Sequence, residues 1–305
     1  MTKLHQFSII TPTFNRAKYL PRIYTSLCKQ GDIDLEWIII DDGSIDNTRE
    51  VIKTFDAQFE VKYVFQENAG KPSAINTGVQ KLAASHITLI TLDSDDYLCE
   101  NALSEAWKYF DIKSGRFKSD CCCLSGLCQD ENGNIIGQKF PHKYFVSDYI
   151  RYHRNKKIAG DKSMFFITKI LKQYPYPIFP GEKFILESTV FHRIALTHKT
   201  LFINYIFQIK QYLPEGLSSS SELKLKNPFG MELYFNEAST PPFSFRHQVE
   251  HLSRYIFFAK INKKNMIFLN AKNKKMYIFG LLKYYFNQFK SLCRLHLSAN
   301  KGNLH

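Results

Sequence analysis

The chain reads as an α/β protein built on a mostly parallel sheet flanked by helices, with a basic, aromatic-rich helical extension at its C-terminal end. Two observations predict this. From Phe7 to Phe110, short apolar runs rich in β-branched residues alternate four times with segments of helical spacing, joined by short links. That rhythm belongs to parallel strands with both faces covered. The second observation is charge: 41 Lys+Arg against 28 Asp+Glu give a net +13. Residues 1–240 hold 29 basic and 27 acidic side chains, about +2, whereas residues 241–305 hold 12 basic against Glu250 alone, about +11. The basicity belongs to a tail, and an attraction to polyanions need not extend to the body. A chain of 305 residues, 44% hydrophobic, can bury one large core and carry an appendage. The expected division is 1–220 and 221–305.

Phe7 to Ile10 forms the first strand, stopped by Pro12 and Asn15 in TPTFNR, and Ala17 to Lys29 carries Leu20, Ile23, Tyr24 and Leu27 at helical spacing. Glu36 to Ile40 is a second strand ending in Asp41, Asp42, Gly43 and Ser44. Asp46 or Asn47 can cap a helix running to about Phe55. Val61 to Phe65 is a third strand, followed by NAGKPSAINTG (68–78), where Pro72 opens a helix reaching Ala84. The fourth strand begins at Thr88 and ends in Asp93, Asp95 and Asp96; Glu100 to Phe110 is the helix after it. DCCCLSGLCQDENGNIIG predicts two short strands around an Asn132–Gly133 turn. Residues 140–180 are aromatic and basic and carry no clear period. Gly181 to Leu196 is helical from about Leu186, with Glu182 and Glu187 near its start. Gln208 to Ser221 is a strand giving way to a serine-rich loop that, with Pro228, marks a domain edge. In the tail, 247–260 and 275–297 are helical; Ile278, Leu281, Leu282, Tyr285, Phe289 and Leu292 fall on one side.

Several classes are excluded. The seven cysteines, three of them at Cys121–Cys123, match neither a zinc pattern nor a disulfide framework and read as buried thiols of a cytosolic protein. The N-terminal apolar run is too short for a signal peptide, and no stretch reaches the roughly 20 apolar residues that span a bilayer. No GxGxxG follows a strand. GKPS at 70–73 is not a phosphate loop, because Phe65 stands where the first glycine belongs and Pro72 where Ser or Thr belongs.

Ligands of parallel sheets sit beyond the carboxyl ends of the strands, and three of four ends here carry chemistry: TPTFNR, DDGS and DSDD. Three carboxylates within four residues repel one another unless a positive charge joins them. A hard divalent cation with oxygen ligands supplies it; the plainer alternative is a solvated turn, with Asp96 as a helix cap.

Together, SIITPTFNR, IIIDDGSIDNT, NAGKPSAINTG, LDSDDYL and GEKFILESTVFHRIA resemble the family 2 glycosyltransferases of the GT-A fold, inverting sugar-nucleotide transferases, over residues 7–215. The resemblance implies that Thr11, Pro12, Thr13 and Arg16 line the base and ribose pocket, that Asp41 and Asp42 read uracil and ribose, and that Asn68, Gly70, Lys71 and Asn76 sit beside the diphosphate-sugar. DSDD matches the family's DxD motif, making Asp95 the chief ligand of Mn2+ or Mg2+ and Asp93 its partner near the ribose. The family's Glu-Asp pair is followed by an arginine six residues after the Asp. Glu187 stands six before Arg193 and takes that place as general base. Leu186 replaces the usual Glu, which keeps Glu182 as a competitor; either could instead be a charge at a helix N-terminus.

The implied activity is transfer of a hexose, with inversion, from a nucleoside-diphosphate sugar (a UDP-sugar by family habit) to a hydroxyl of a glycan or lipid-linked acceptor, in bacterial cell-surface polysaccharide synthesis. Alternatives are a non-catalytic sugar-nucleotide or glycan-binding relative and a sugar nucleotidyltransferase. The tail's purely basic charge and interleaved aromatics fit peripheral binding to the inner face of the cell membrane; packing on the body or on a second subunit is the other reading. No nucleic-acid-binding module accompanies the charge.

Overall fold

The structure, a computed structural model, describes residues 5–82, 87–89, 92–110, 116–155, 158, 160–211 and 221–302. It divides into two compact units, Met1–Ser220 and Ser221–His305.

The first unit alternates as its sequence period dictates: β1 (Phe7–Thr13), α1 (Leu20–Cys28), β2 (Leu35–Asp41), α2 (Thr48–Lys53), β3 (Glu60–Phe65), α3 (Lys71–Lys81) and β4 (Ile87–Leu89). There follow β5 (Tyr97–Leu98), α4 (Ala102–Phe110), β6 (Cys121–Gln129), β7 (Tyr144–Ser147), β8 (Lys162–Ile167), α5 (Thr168–Leu171), α6 (Ser188–Ala195) and β9 (Lys199–Ile209). The described strands form one mixed sheet in the order β3-β2-β1-β4-β8-β6-β9-β5, with β7 beside β9. Its first half is parallel: β1 pairs with both β2 and β4, and β2 with β3. β8 enters antiparallel between β4 and β6, and β6 pairs parallel with β9.

Alternation along the strands explains why both faces are covered. Phe7, Ile9, Leu35, Trp37 and Ile39 face α1 and α4 through Leu20, Ile23, Leu27, Leu103 and Ala106. Ile10, Ile38 and Ile40 face α3 through Ala74. In register, Thr13 lies beside Asp41 and Asp41 beside Phe65, so the polar strand ends meet along one rim. Leu92 N donates to Ile10 O at 3.2 Å, which brings Asp93 to the same rim.

Two expectations change. The predicted hairpin is half a hairpin: β6 forms, but its return is the single bridge Gln129–Ile135. Asp130 gathers the turn instead, accepting from the backbone N–H of Asn132 and Asn134 at 3.0 and 2.8 Å, and β6 finds its partners in β8 and β9. The helix expected to reach Ala84 is described only to Lys81, and residues 83–86, 90–91 and 212–220, on which parts of the third helix, fourth strand and serine-rich loop were expected, lie outside the described residues.

The second unit is helical: α7 (Ser221–Lys226), α8 (Pro228–Glu237), α9 (Phe245–Ile261), α10 (Ile267–Asn270) and α11 (Tyr277–Gly302). Its core is Met231, Tyr234, Phe235, Phe243, Leu252, Tyr255, Ile256 and Phe258. α11 meets α9 through Gly280, where a Cβ would come within 2.4 Å of Leu252 Cβ, and through Asn287, which reaches Ser253 Oγ at 3.4 Å. That choice of face leaves most of the apolar stripe outside: Ile278, Leu282, Tyr285 and Phe289, with Phe286 beside them, are all at least half exposed, while Leu281 is partly buried. Lysines stand over its rings, Lys260 at 5.2 Å from Tyr285 and Lys290 at 4.6 Å from Phe286. Leu292 falls among the side chains outside the described set. No helix among the described residues is long and apolar enough to cross a membrane.

Candidate active site

Lys71 is the first residue of α3, directly after the rim of strand ends. Its ammonium lies 2.6 Å from Asp93 Oδ1 and 2.5 Å from Glu187 Oε1, so one cation joins the acidic strand end to the start of α6. Burial works against the Lys71 charge, but Asp93 and Glu187 more than offset it and raise its pKa above the ordinary lysine value. Asp93 is the mirror image: burial would raise its pKa, yet Lys71 and then Lys210 hold it below the usual carboxylate range. Glu187 occupies the N-cap position of α6 without capping it. Its carboxylate is drawn to Lys71 instead.

Asp93, Asp95 and Asp96 each bring a carboxylate oxygen within 4.8 Å of the others. An all-oxygen donor set of this kind suits a hard divalent cation, so the cluster could hold one. The three are not equivalent. Asp96 is buried at 3% exposure and takes Lys210 Nζ at 2.5 Å and the Gln211 backbone N–H at 3.3 Å. It is therefore not the expected helix cap, since α4 begins later, at Ala102. Burial pushes its pKa up to about 7, Lys210 opposing and Asp93 and Asp95 adding to the rise. Asp95 stands half-buried with its carboxylate in no ion pair among the described residues, while Arg22 holds its backbone oxygen at 2.5 Å. Burial and then Asp93 raise its pKa; Arg16 and Lys71 pull the other way. Of the three, Asp95 is the carboxylate most open to a ligand.

The first two strand ends are less open than their sequence suggests. Thr11 is fully buried and accepts from Trp37 Nε1 at 2.9 Å. Pro12 and Thr13 are buried too, but the Thr13 hydroxyl has no hydrogen-bond partner among the described residues. Arg16 is half-buried beside Tyr19. Asp41 accepts from the Ser44 backbone and from the Tyr63 hydroxyl, both at 2.8 Å, and so shapes the DDGS turn. Asp42 accepts from Gln66 Nε2 at 2.7 Å, Ala69 N at 2.9 Å and Gly70 N at 2.8 Å, which gathers the loop leading into α3. Gly70, at φ +90, can be only glycine here: a Cβ would meet the Lys183 carbonyl oxygen at 2.2 Å.

Asn68 accepts from Lys183 Nζ at 2.5 Å, and Asn76 exchanges two hydrogen bonds with the Tyr176 backbone. Glu182 lines a small niche with Ala69, Pro72, Pro177, Ile178, Phe179 and Phe184. The structure thus brings Asp93, Lys71 and Glu187 into direct contact, with Asp95 in the same acidic cluster, and sets Glu182 in the niche. Sequence reading missed Tyr63, Tyr176, Lys183 and Lys210. Each acts across a long stretch of chain, and none sits in a motif that marks it.

The model of the family described as glycosyl transferase family 2 matches residues 8–187. The glycosyltransferase GlyG of Streptococcus pneumoniae is 28% identical over 209 residues, which span 65% of this chain and 67% of GlyG. Other curated relatives are matched over only about a third of their length, 36% and 31% in two cases. Among solved structures, S. aureus TarS 1–349 in complex with UDP-GlcNAc superposes with a TM-score of 0.66 at 20% identity, covering 92% of this chain and 80% of that one. The mannosyltransferase PcManGT from Pyrobaculum calidifontis, in complex with GDP-Man and Mn2+, gives 0.55 at 15% identity, covering 94% and 88%. At these identities the likeness is one of fold. The family match is broader in kind: it takes in more than half of the 305 residues, from Ser8 on β1 to Glu187 itself, and with it every residue of the rim. The chain belongs to glycosyl transferase family 2.

Proposed function

We propose that the protein is a metal-dependent, inverting glycosyltransferase that moves a hexose from a nucleoside-diphosphate sugar to a hydroxyl of a glycan or lipid-linked acceptor. The observation that supports this best is the Asp93–Lys71–Glu187 contact, because it sets the Glu187 carboxylate and the Lys71 cation against the acidic strand end. Glu187 takes the proton of the acceptor hydroxyl as that oxygen attacks the anomeric carbon. The new bond forms opposite the bond to the diphosphate, which breaks with its electron pair, so configuration inverts and the proton ends on Glu187. One base suffices, since the diphosphate needs no acid to leave. Asp95 and Asp93 would hold Mn2+ or Mg2+, which would supply positive charge against the departing nucleoside diphosphate. Lys71 adds a second cation at that place. Asp41, Asp42, Thr13 and Arg16 stand along the rim proposed for the nucleotide.

A UDP-sugar is the proposed donor, by likeness to TarS, whose structure carries UDP-GlcNAc. The proposed setting is bacterial cell-surface polysaccharide synthesis at the cytoplasmic face of the membrane, with the second unit as the peripheral contact. The exposed apolar stripe of α11, its overlying lysines and the tail's charge of about +11 support an anionic lipid surface as the partner. A screen of nucleotide sugars for release of the nucleoside diphosphate, with Mn2+ or Mg2+ and then with chelator, tests the reading. Chelator-sensitive release with one donor is expected; no release from any donor, together with no binding of UDP in calorimetry, overturns it.

A further inference from the structure

Residues 176–187, YPIFPGEKFILE, run between α5 and α6 with no strand or helix of their own. They form a strap fastened to residues 68–76. At one end the Asn76 amide donates to the Tyr176 carbonyl and accepts from the Tyr176 N–H, each at 2.8 Å. In the middle Lys183 Nζ donates to Asn68 Oδ1 at 2.5 Å, and Gly70 lies against the Lys183 backbone. At the far end Lys71 meets the Glu187 carboxylate, and the Tyr176 hydroxyl donates to the Glu187 carbonyl at 3.4 Å, tying the strap's two ends together. Between the fastenings Pro177, Phe179 and Phe184 share a niche with Ala69 and Pro72.

We propose that Asn76 is a positioning residue that acts on Glu187 through this strap, and not on the sugar nucleotide. The inference rests on Glu187 being the base. A segment without its own hydrogen-bond ladder takes its coordinates from whatever satisfies its backbone groups. Here a single side chain satisfies both groups of Tyr176, as a neighbouring strand would, and both ends of its amide are committed to doing so. Tyr176 in turn holds Glu187. A base displaced by about 1 Å from its attack geometry loses on the order of 100-fold in rate.

The test compares Asn76→Ala with Asn76→Asp, which keeps the acceptor for the Tyr176 N–H and loses the donor to its carbonyl. Hydrogen exchange over 176–187, calorimetric binding of UDP with Mn2+, and turnover with the donor found by the screen are measured on each intact variant. Asn76→Ala should speed exchange within the strap and lower kcat by about 100-fold, while UDP affinity stays within about twofold. Lys183→Met, which leaves Asn76 in place, should give the same pattern more weakly, so poor folding of one variant does not decide the matter. A large loss of UDP affinity with strap exchange unchanged overturns the proposal, because Asn76 is then a donor contact. So does a loosened strap with kcat intact beside an inactive Glu187→Gln. Full turnover by Glu187→Gln with a loosened strap in Asn76→Ala instead removes the base assignment and leaves the fastening standing.

Discussion

Lys71 shows how much one side chain can settle. Its reach to Asp93 and Glu187 turns two separate motifs into one site. If Glu187 is the base, Glu187→Gln keeps the shape and removes the proton acceptor. Turnover should fall by about 100- to 10,000-fold with UDP binding retained; the opposite pattern, with Glu182→Gln inactive, exchanges the two roles. Asp95→Ala should likewise abolish the metal requirement along with most activity, and a variant fully active in excess chelator refutes that assignment. The Asp96–Lys210 pair predicts a stability effect instead. Asp96 is 3% exposed and the Lys210 side chain 14%. Lys210→Met should therefore cost about 3–5 kcal/mol in a urea melt, with part of that regained in Asp96→Asn/Lys210→Met. Acidic residue types at a strand end were legible in the sequence; their division of labour was not. Asp96 reads as a cap because its true partner lies 114 residues further along the chain.

At the scale of elements, legibility followed locality. β1, β2, β3 and α3 carry their own period and their own stop signals, and they stand close to where the sequence puts them. β8 did not read as a strand from KSMFFI alone, yet it sits at the middle of the sheet, antiparallel between β4 and β6, because only the assembled sheet supplies its neighbours. The predicted hairpin failed for the same reason: sheet partners outcompeted the local turn. Among these elements, α3 is held closest to its strands by Gly78, where a Cβ would come 2.7 Å from Ile10 Cγ2 and 3.4 Å from Ile40 Cγ1. Since α3 begins at Lys71, its seating also sets the site. Gly78→Val should overpack this contact and destabilise the protein by about 1–3 kcal/mol, read from a denaturant midpoint. A midpoint unchanged from the parent would mean that α3 shifts freely on the sheet.

For the whole molecule, the informative quantity is where charge and apolar surface fall together. The first 240 residues are nearly neutral by count, about +2, while the tail carries about +11. The sequence showed the stripe on α11 but not its direction, and a stripe of that spacing most often faces a core. Here Gly280 and Asn287 take the inward side, and Leu282 and Phe289 remain 62% and 64% exposed. An apolar face left to water beside an excess of basic charge is what an anionic bilayer recognises. Each lysine near such a surface contributes on the order of 1 kcal/mol, and burying one Leu or Phe about 1.5–3 kcal/mol. The intact protein should therefore sediment with anionic vesicles at low salt, release as salt screens the lysines, and ignore neutral vesicles. Leu282→Glu or Phe289→Glu, at exposed positions that disturb no core, should each weaken vesicle binding by about tenfold or more while UDP binding stays as in the parent. If the parent ignores anionic vesicles at low salt and the two variants instead change its oligomeric state, the stripe covers a second copy of the chain.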